Sequence, residues 1–213
     1  MAERPRPMAG AHWARPWARG DRLVRTFILS GAHRSRSTEE HAMNTRDVLH
    51  YSHQTVLAAI RDLPDPTWEI GGVCGKWSVR QIIAHLASFE QLLVEVLTGF
   101  LHDGPTPTLD RYRSDSGFND NEVALREELS PAATLAEYVA AHEQAASLLD
   151  RIPLEMCQQL GTLPWYGNVY DLDDFIVYAF YGHAREHSAQ IDHFRAQLHR
   201  QAVGPLQEST DSA

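Results

Sequence analysis

Between residues 78 and 100 the chain presents a helix start and a long helix face in one stretch. Ser78 can cap the first turn, and Gln81 three positions on completes a capping box. Ile82, Leu86, Phe89, Leu93, Val96 and Leu97 then recur at steps of three and four, the spacing that lines up one side of a helix. A stripe of that length must be buried against other helices, and three further segments have the matching form. Asn44 or Thr45 can cap a helix that runs to about Asp62, with Leu49, His53, Val56 and Ile60 facing inward and Leu63-Pro64-Asp65-Pro66 stopping it. Ser130-Pro131 opens a third helix that reaches about Arg151 and buries Leu135, Val139, Ala146 and Leu149. Asp171 caps a last helix, with Asp173 and Asp174 where the helix dipole favours negative charge; its stripe is Ile176, Phe180, Ile191, Phe194 and Leu198. Residues 71–75 and 102–116 read as loops and 119–129 as a short extra helix. Strand signals are scarce. The pattern predicts an all-α fold, an up-down four-helix bundle with a short extra helix.

Charge marks where that domain begins. Residues 1–42 hold eight arginines against four acids, whereas the rest of the chain holds eleven basic and twenty-four acidic residues. The leader lacks helical periodicity, and its apolar run at 23–29 is too short and broken for a signal peptide. It reads as a disordered extension, or as the product of an upstream start with Met43 as the true first residue. An acidic body would repel the phosphate backbone that a nucleic-acid-binding arm has to approach, so no nucleic-acid partner is expected. The expected organisation is a leader over 1–42, a bundle over 43–200 and a flexible tail over 201–213. No stretch approaches the roughly 18 to 20 uninterrupted apolar residues of a membrane span, so no membrane partner is expected. Cys74 and Cys157 are far apart and read as reduced thiols, which together with the missing signal places the protein in the cytoplasm.

Two histidines break the stripe of the last helix. His183 and His187 are four residues apart, so both side chains leave one face, one turn apart. They fall in step with Phe180 and Ile191 and therefore point into the bundle. Buried imidazoles need partners, and two protonated rings side by side would repel; a cation shared between neutral rings removes both difficulties. His85, three residues after Ile82 and one before Leu86, supplies a third inward histidine on the second helix. Three protein ligands leave one coordination position open, as at catalytic zinc sites.

These residues carry a resemblance. The run Lys76-Trp77-Ser78-Val79-Arg80-Gln81-Ile82-Ile83-Ala84-His85-Leu86 and the distant Gly182-His183-Ala184-Arg185-Glu186-His187-Ser188-Ala189-Gln190-Ile191 closely resemble the DinB-like superfamily of bacterial metal-binding bundles. The likeness covers about residues 43–198 and leaves out the leader. It implies a four-helix bundle, often dimeric, with a divalent ion at His85, His183 and His187: zinc or nickel first, manganese or iron as further options. Phe118-Asn119 resembles the branch that includes the ClbS and DfsB proteins.

The resemblance implies more than one chemistry. A metal-dependent enzyme acting on a small molecule, by thiol transfer with a low-molecular-weight thiol or by hydrolysis of a reactive compound, is one reading. A non-catalytic binding or stress-response bundle is the other. A fourth protein ligand would favour the second, and His53 on the inward stripe of the first helix is the candidate for it, beside a plain core role. Glu186, between the two histidines of the last helix, is a candidate base or hydrogen-bond acceptor for them, beside a solvated role. Tyr178, Tyr181 and the loop Pro164-Trp165-Tyr166-Gly167-Asn168 are candidates for a pocket wall.

Overall fold

The computed structural model describes residues 44–203. The expectations for the leader and for the tail beyond Val203 lie outside the described residues. Within them the chain forms α1 (Thr45–Ile60), a 3-10 turn (Asp65–Glu69), α2 (Val79–Leu101), α3 (Pro107–Ser114), α4 (Phe118–Ala124), α5 (Pro131–Leu149), α6 (Leu154–Cys157), α7 (Leu172–Ile176), a π-helical segment (Val177–Tyr181) and α8 (Gly182–Val203). The four long helices begin where side chains can serve the free amides of their first turns. Asn44 Oδ1 accepts from the Arg46 N–H, Ser130 Oγ from Ala133 and Asp171 Oδ1 from Asp174. Ser78 and Gln81 form the reciprocal box expected of them. Each such cap contributes about 1 kcal/mol. The last helix starts as α7 and runs through the π segment into α8.

α2 packs along α5 and α1 along α8, while α1 against α5 and α2 against α8 close the ring. The order around the bundle therefore differs from the order in the chain: α2 and α5 are neighbours in both, but α1 and α2 lie on one diagonal and α5 and α8 on the other. α2 is long and apolar enough to cross a membrane by length and composition, but 78% of its apolar window is buried inside the bundle.

The core falls into two apolar clusters. One contains Leu49, Phe89, Leu93, Leu97, Leu149, Ile176 and Phe180; the other contains Val56, Ile60, Val79, Ile82, Leu86, Tyr138, Ile191 and Phe194. Buried histidines lie at or within about a turn of the boundary between them on every long helix: His53 on α1, His85 on α2, His142 on α5, and His183 and His187 on α8.

Three local expectations need correction. Residues 102–116 are not all loop, because α3 occupies Pro107–Ser114. Its first turn has no cap from its own sequence; the Glu95 carboxylate, reaching over from α2, accepts from the Thr108 and Leu109 amides at 2.9 and 2.8 Å. The short helix α4 ends at Ala124, and turns carry the chain on to residue 129. On α5 the buried face is Thr134, Tyr138, Ala141, His142, Ala145, Leu148 and Leu149, so Leu135, Val139 and Ala146 lie beside it, half-buried. Polar side chains on the inward face turned the apolar pattern one residue round the helix.

A buried ionic network braces α4. Glu122, 1% exposed, is bonded by Arg111 at 2.6 Å and Arg126 at 3.0 Å; Arg126 also holds Glu137 of α5 at 2.7 Å. Arg80 of α2 donates to the Arg126 carbonyl and to Glu69. With α4 fixed, Asp120 accepts from Trp77 Nε1 at 3.2 Å, which places the indole beside α2 just ahead of its first turn.

Candidate metal centre

α2 and α8 face each other across the bundle, and three histidines bridge them. His85, His183 and His187 are 2, 4 and 6% exposed. The Nε2 atoms of His85 and His183 lie 2.8 Å apart, and those of His183 and His187 lie 2.9 Å apart. Burial holds His85 and His183 well below the usual imidazole range, and the neighbouring histidines push the same way; burial also lowers His187. All three rings are therefore neutral near pH 7, the form in which an imidazole nitrogen can bind a cation.

The outer edges of two rings are anchored. The His183 ring donates to the backbone carbonyl of Ala179, which lies in the π segment. The i→i+5 bonding of such a turn loosens the regular pairing of carbonyls and is frequent at functional sites. His187 Nδ1 lies 2.8 Å from Gln190 Oε1 and donates to it. Gln190 in turn reaches the thiol of Cys74, and burial raises that thiol. A hydrogen bond on Nδ1 fixes the tautomer that leaves Nε2 bare. His85 has no partner at Nδ1 and is held by packing instead: its centroid lies 4.9 Å from that of Trp77 and 4.9 Å from that of Phe89.

The donor set fits a divalent ion. Nitrogens bound at about 2.0 to 2.1 Å sit roughly 3.0 to 3.4 Å apart around one ion, so the observed spacings need to open by only a few tenths of an ångström. Among the described residues no other set of three histidine, cysteine or acidic side chains converges in this way.

The three histidines singled out in the sequence are thus brought together, and the other candidates are not. His53 lies apart from them, stacked on His142 with centroids 3.9 Å apart. Glu186 is exposed. Tyr178 is 48% exposed, and Tyr181 faces Arg185, whose guanidinium sits 5.6 Å from its ring. The loop at 164–168 reaches the site only indirectly. Trp165 packs on Tyr112, Tyr112 on Phe89, and Phe89 lies 4.6 Å from His183. Sequence reasoning did not assign Phe89, Tyr112, the Ala179 carbonyl or Gln190 to the site. Gln190 had a signal, since it lies three residues beyond His187 and hence on the same helix face.

The family model of the DinB superfamily matches residues 49–191. Among solved structures the chain is similar to YfiT from Bacillus subtilis, described as a probable metal-dependent hydrolase with an unusual four-helix bundle topology. The two are 17% identical with a TM-score of 0.52, over 80% of this chain and 95% of that one. No curated protein matches the chain.

Proposed function

Because the chain belongs to the DinB superfamily, we propose that it holds one divalent ion between His85, His183 and His187 and uses it, as an enzyme, on a small molecule. The observation that carries this reading is the convergence of three neutral Nε2 atoms, two of them on rings whose far sides are hydrogen-bonded. Zinc and nickel suit an all-imidazole set best, with manganese and iron as alternatives. When bound, the ion supplies Lewis acidity for a substrate oxygen, or for a water or thiol whose pKa it lowers. The chain's own part is to keep the rings neutral by burial, to aim them through Ala179 and Gln190, and to exclude water with Trp77 and Phe89. Hydrolysis is the reading supported by the likeness to YfiT; transfer to a low-molecular-weight thiol is the variant. Activity in the cytoplasm, with or without a homodimer, belongs to the same proposal.

One observation favours a second reading, a bundle in which the ion serves only to tie α2 to α8. All three rings are buried, and a cavity of about 410 Å3 lined by Glu95, Gly99, Phe100, Met156 and Trp165 lies elsewhere. Gly99 is fourteen residues beyond His85, about 21 Å along α2. Elemental analysis separates these readings from no site at all: about one ion per chain is expected, and His183→Ala or His187→Ala should abolish it. Metal-dependent turnover across a panel of esters, amides, epoxides and thiol acceptors then decides between enzyme and tie. Unchanged metal content in both variants would remove the site.

A further inference from the structure

The layer of buried histidines that divides the core has a second half. On the side where α1 and α5 meet it consists of His53 and His142, joined from α2 by Glu90. These residues are 6, 6 and 4% exposed. The two imidazoles lie parallel, with centroids 3.9 Å apart and planes 2° apart, and Tyr138 tilts over His53 at 5.0 Å. His142 Nδ1 lies 3.5 Å from Glu90 Oε1. Nδ1 of both rings and Oε2 of Glu90 have no hydrogen-bond partner.

Such a set is balanced by one proton and by no other number. With none, an ionised carboxylate is buried without a counter-charge, which is strongly disfavoured. With two, like charges face each other at the stacking distance. One proton on His142 gives Glu90 its counter-ion and leaves His53 as the neutral ring stacked on an imidazolium. Burial, then His142, then His50 hold His53 down at about 3, which keeps that ring neutral. We propose that His53, His142 and Glu90 form a proton-binding site that holds a single proton, on His142, and that this proton fastens α1 to α2 and α5.

Charged groups on the neighbouring elements leave the cluster to itself. On α1, His50 bears on His53. On α5 the Tyr138 hydroxyl is held well above its ordinary range by burial and then by Glu90, so it stays protonated. Arg195 of α8 and Asp173 of α7 touch α1 at its two ends, through the Ala58 and Ala59 carbonyls and the Thr45 hydroxyl. The π segment offers α1 the Phe180 carbonyl, which accepts from Ser52. A cleft of about 230 Å3 between α1 and α5, lined by Arg46, Asp47, His50 and Asp150 among others, opens about a turn from the stack without reaching it.

The test is nuclear magnetic resonance of the full chain labelled with 15N and 13C, and it needs no bound metal. Ring-nitrogen shifts report the charge of His53 and His142, and the side-chain carboxyl shift reports that of Glu90. Between pH 6 and 7 the expected pattern is a cationic His142, a neutral His53 and an ionised Glu90. In Glu90→Gln the His142 ring should be neutral over the same range, and α1 amides near His53 should exchange at least about tenfold faster. Two neutral rings, beside an ionised or a protonated Glu90, or two cationic rings, would overturn the proposal, as would an unchanged His142 ring or unchanged α1 exchange in the variant. Should Glu90→Gln fail to fold, His53→Phe keeps the stack and decides the same point: His142 must remain cationic beside an ionised Glu90, and a neutral ring there sinks the idea.

Discussion

Gln190 touches no metal, yet the geometry gives it a measurable share of the affinity. Its Oε1 sits 2.8 Å from His187 Nδ1 and is the acceptor that holds that ring with Nε2 facing His183. Gln190→Ala removes the acceptor and leaves a buried N–H without a partner. The ring is then free to turn or to move its proton onto Nε2, and either change takes a ligand from the site. Loss of such a supporting bond typically weakens metal binding 10- to 100-fold, which is about 1.4 to 2.7 kcal/mol. The unpaired N–H also costs the metal-free variant about 1 to 3 kcal/mol, a few degrees in melting temperature, so zinc affinity is the readout that isolates the effect on the site. Gln190→Glu restores an acceptor and should bind at least as tightly as the parent. The assay is competition for zinc against a chromophoric chelator at fixed pH, run on all three proteins. A Gln190→Ala affinity within about twofold of the parent would refute the reasoning, because His187 would then be positioned by something other than this bond.

Other consequences can be checked separately. Glu95→Ala strips two charge-assisted hydrogen bonds from the start of α3; a loss of about 2 to 3 kcal/mol, or roughly 5 to 10 °C in melting temperature, is expected, with faster amide exchange at Thr108 and Leu109. Burial holds His53 at about 3 in the folded chain against the ordinary imidazole value of 6.5, so the unfolded chain takes up a proton that the folded one refuses. Stability should therefore fall as pH is lowered from about 6.5 towards 3, and His53→Phe should flatten that slope in urea titrations across the range. Chelation should leave the far-ultraviolet circular dichroism helical and lower the melting temperature only by the mass-action term, because the caps and both apolar clusters persist without an ion. Outright unfolding on chelation would make the ion structural and remove the main support for an enzyme.

What could be read from the chain, and what could not, follows from the range of the forces involved. Ser78 with Gln81, Asn44, Ser130 and Asp171 act within one turn, so the helix starts were visible in the residues themselves. The inward placement of His85, His183 and His187 was visible because leucine-like positions flank each of them. α3 was not visible, since its cap is Glu95, a side chain thirteen residues away on another helix. The face of α5 was misplaced because Thr134, Tyr138 and His142 are polar residues on a buried side, and periodicity arguments count only apolar ones. The order of helices around the bundle was equally hidden, since it depends on which faces meet and not on any one face. The role of Ala179 could not have been found from side chains at all, because the atom that matters is a backbone carbonyl.

The π segment at Val177–Tyr181 gives that carbonyl a wider significance. Such a segment is, in effect, one extra residue spliced into an α-helix. Deleting a single residue there would let α7 and α8 join as a regular helix with every backbone bond made. It would also rotate all twenty-two residues of α8 by about 100° relative to α7. His183 and His187 would swing away from His85, and Ile191 and Phe194 would leave the core with them. The position of the candidate centre is thus a matter of phase, carried by one inserted residue, and a shorter chain could keep its helix content and its composition while losing the site.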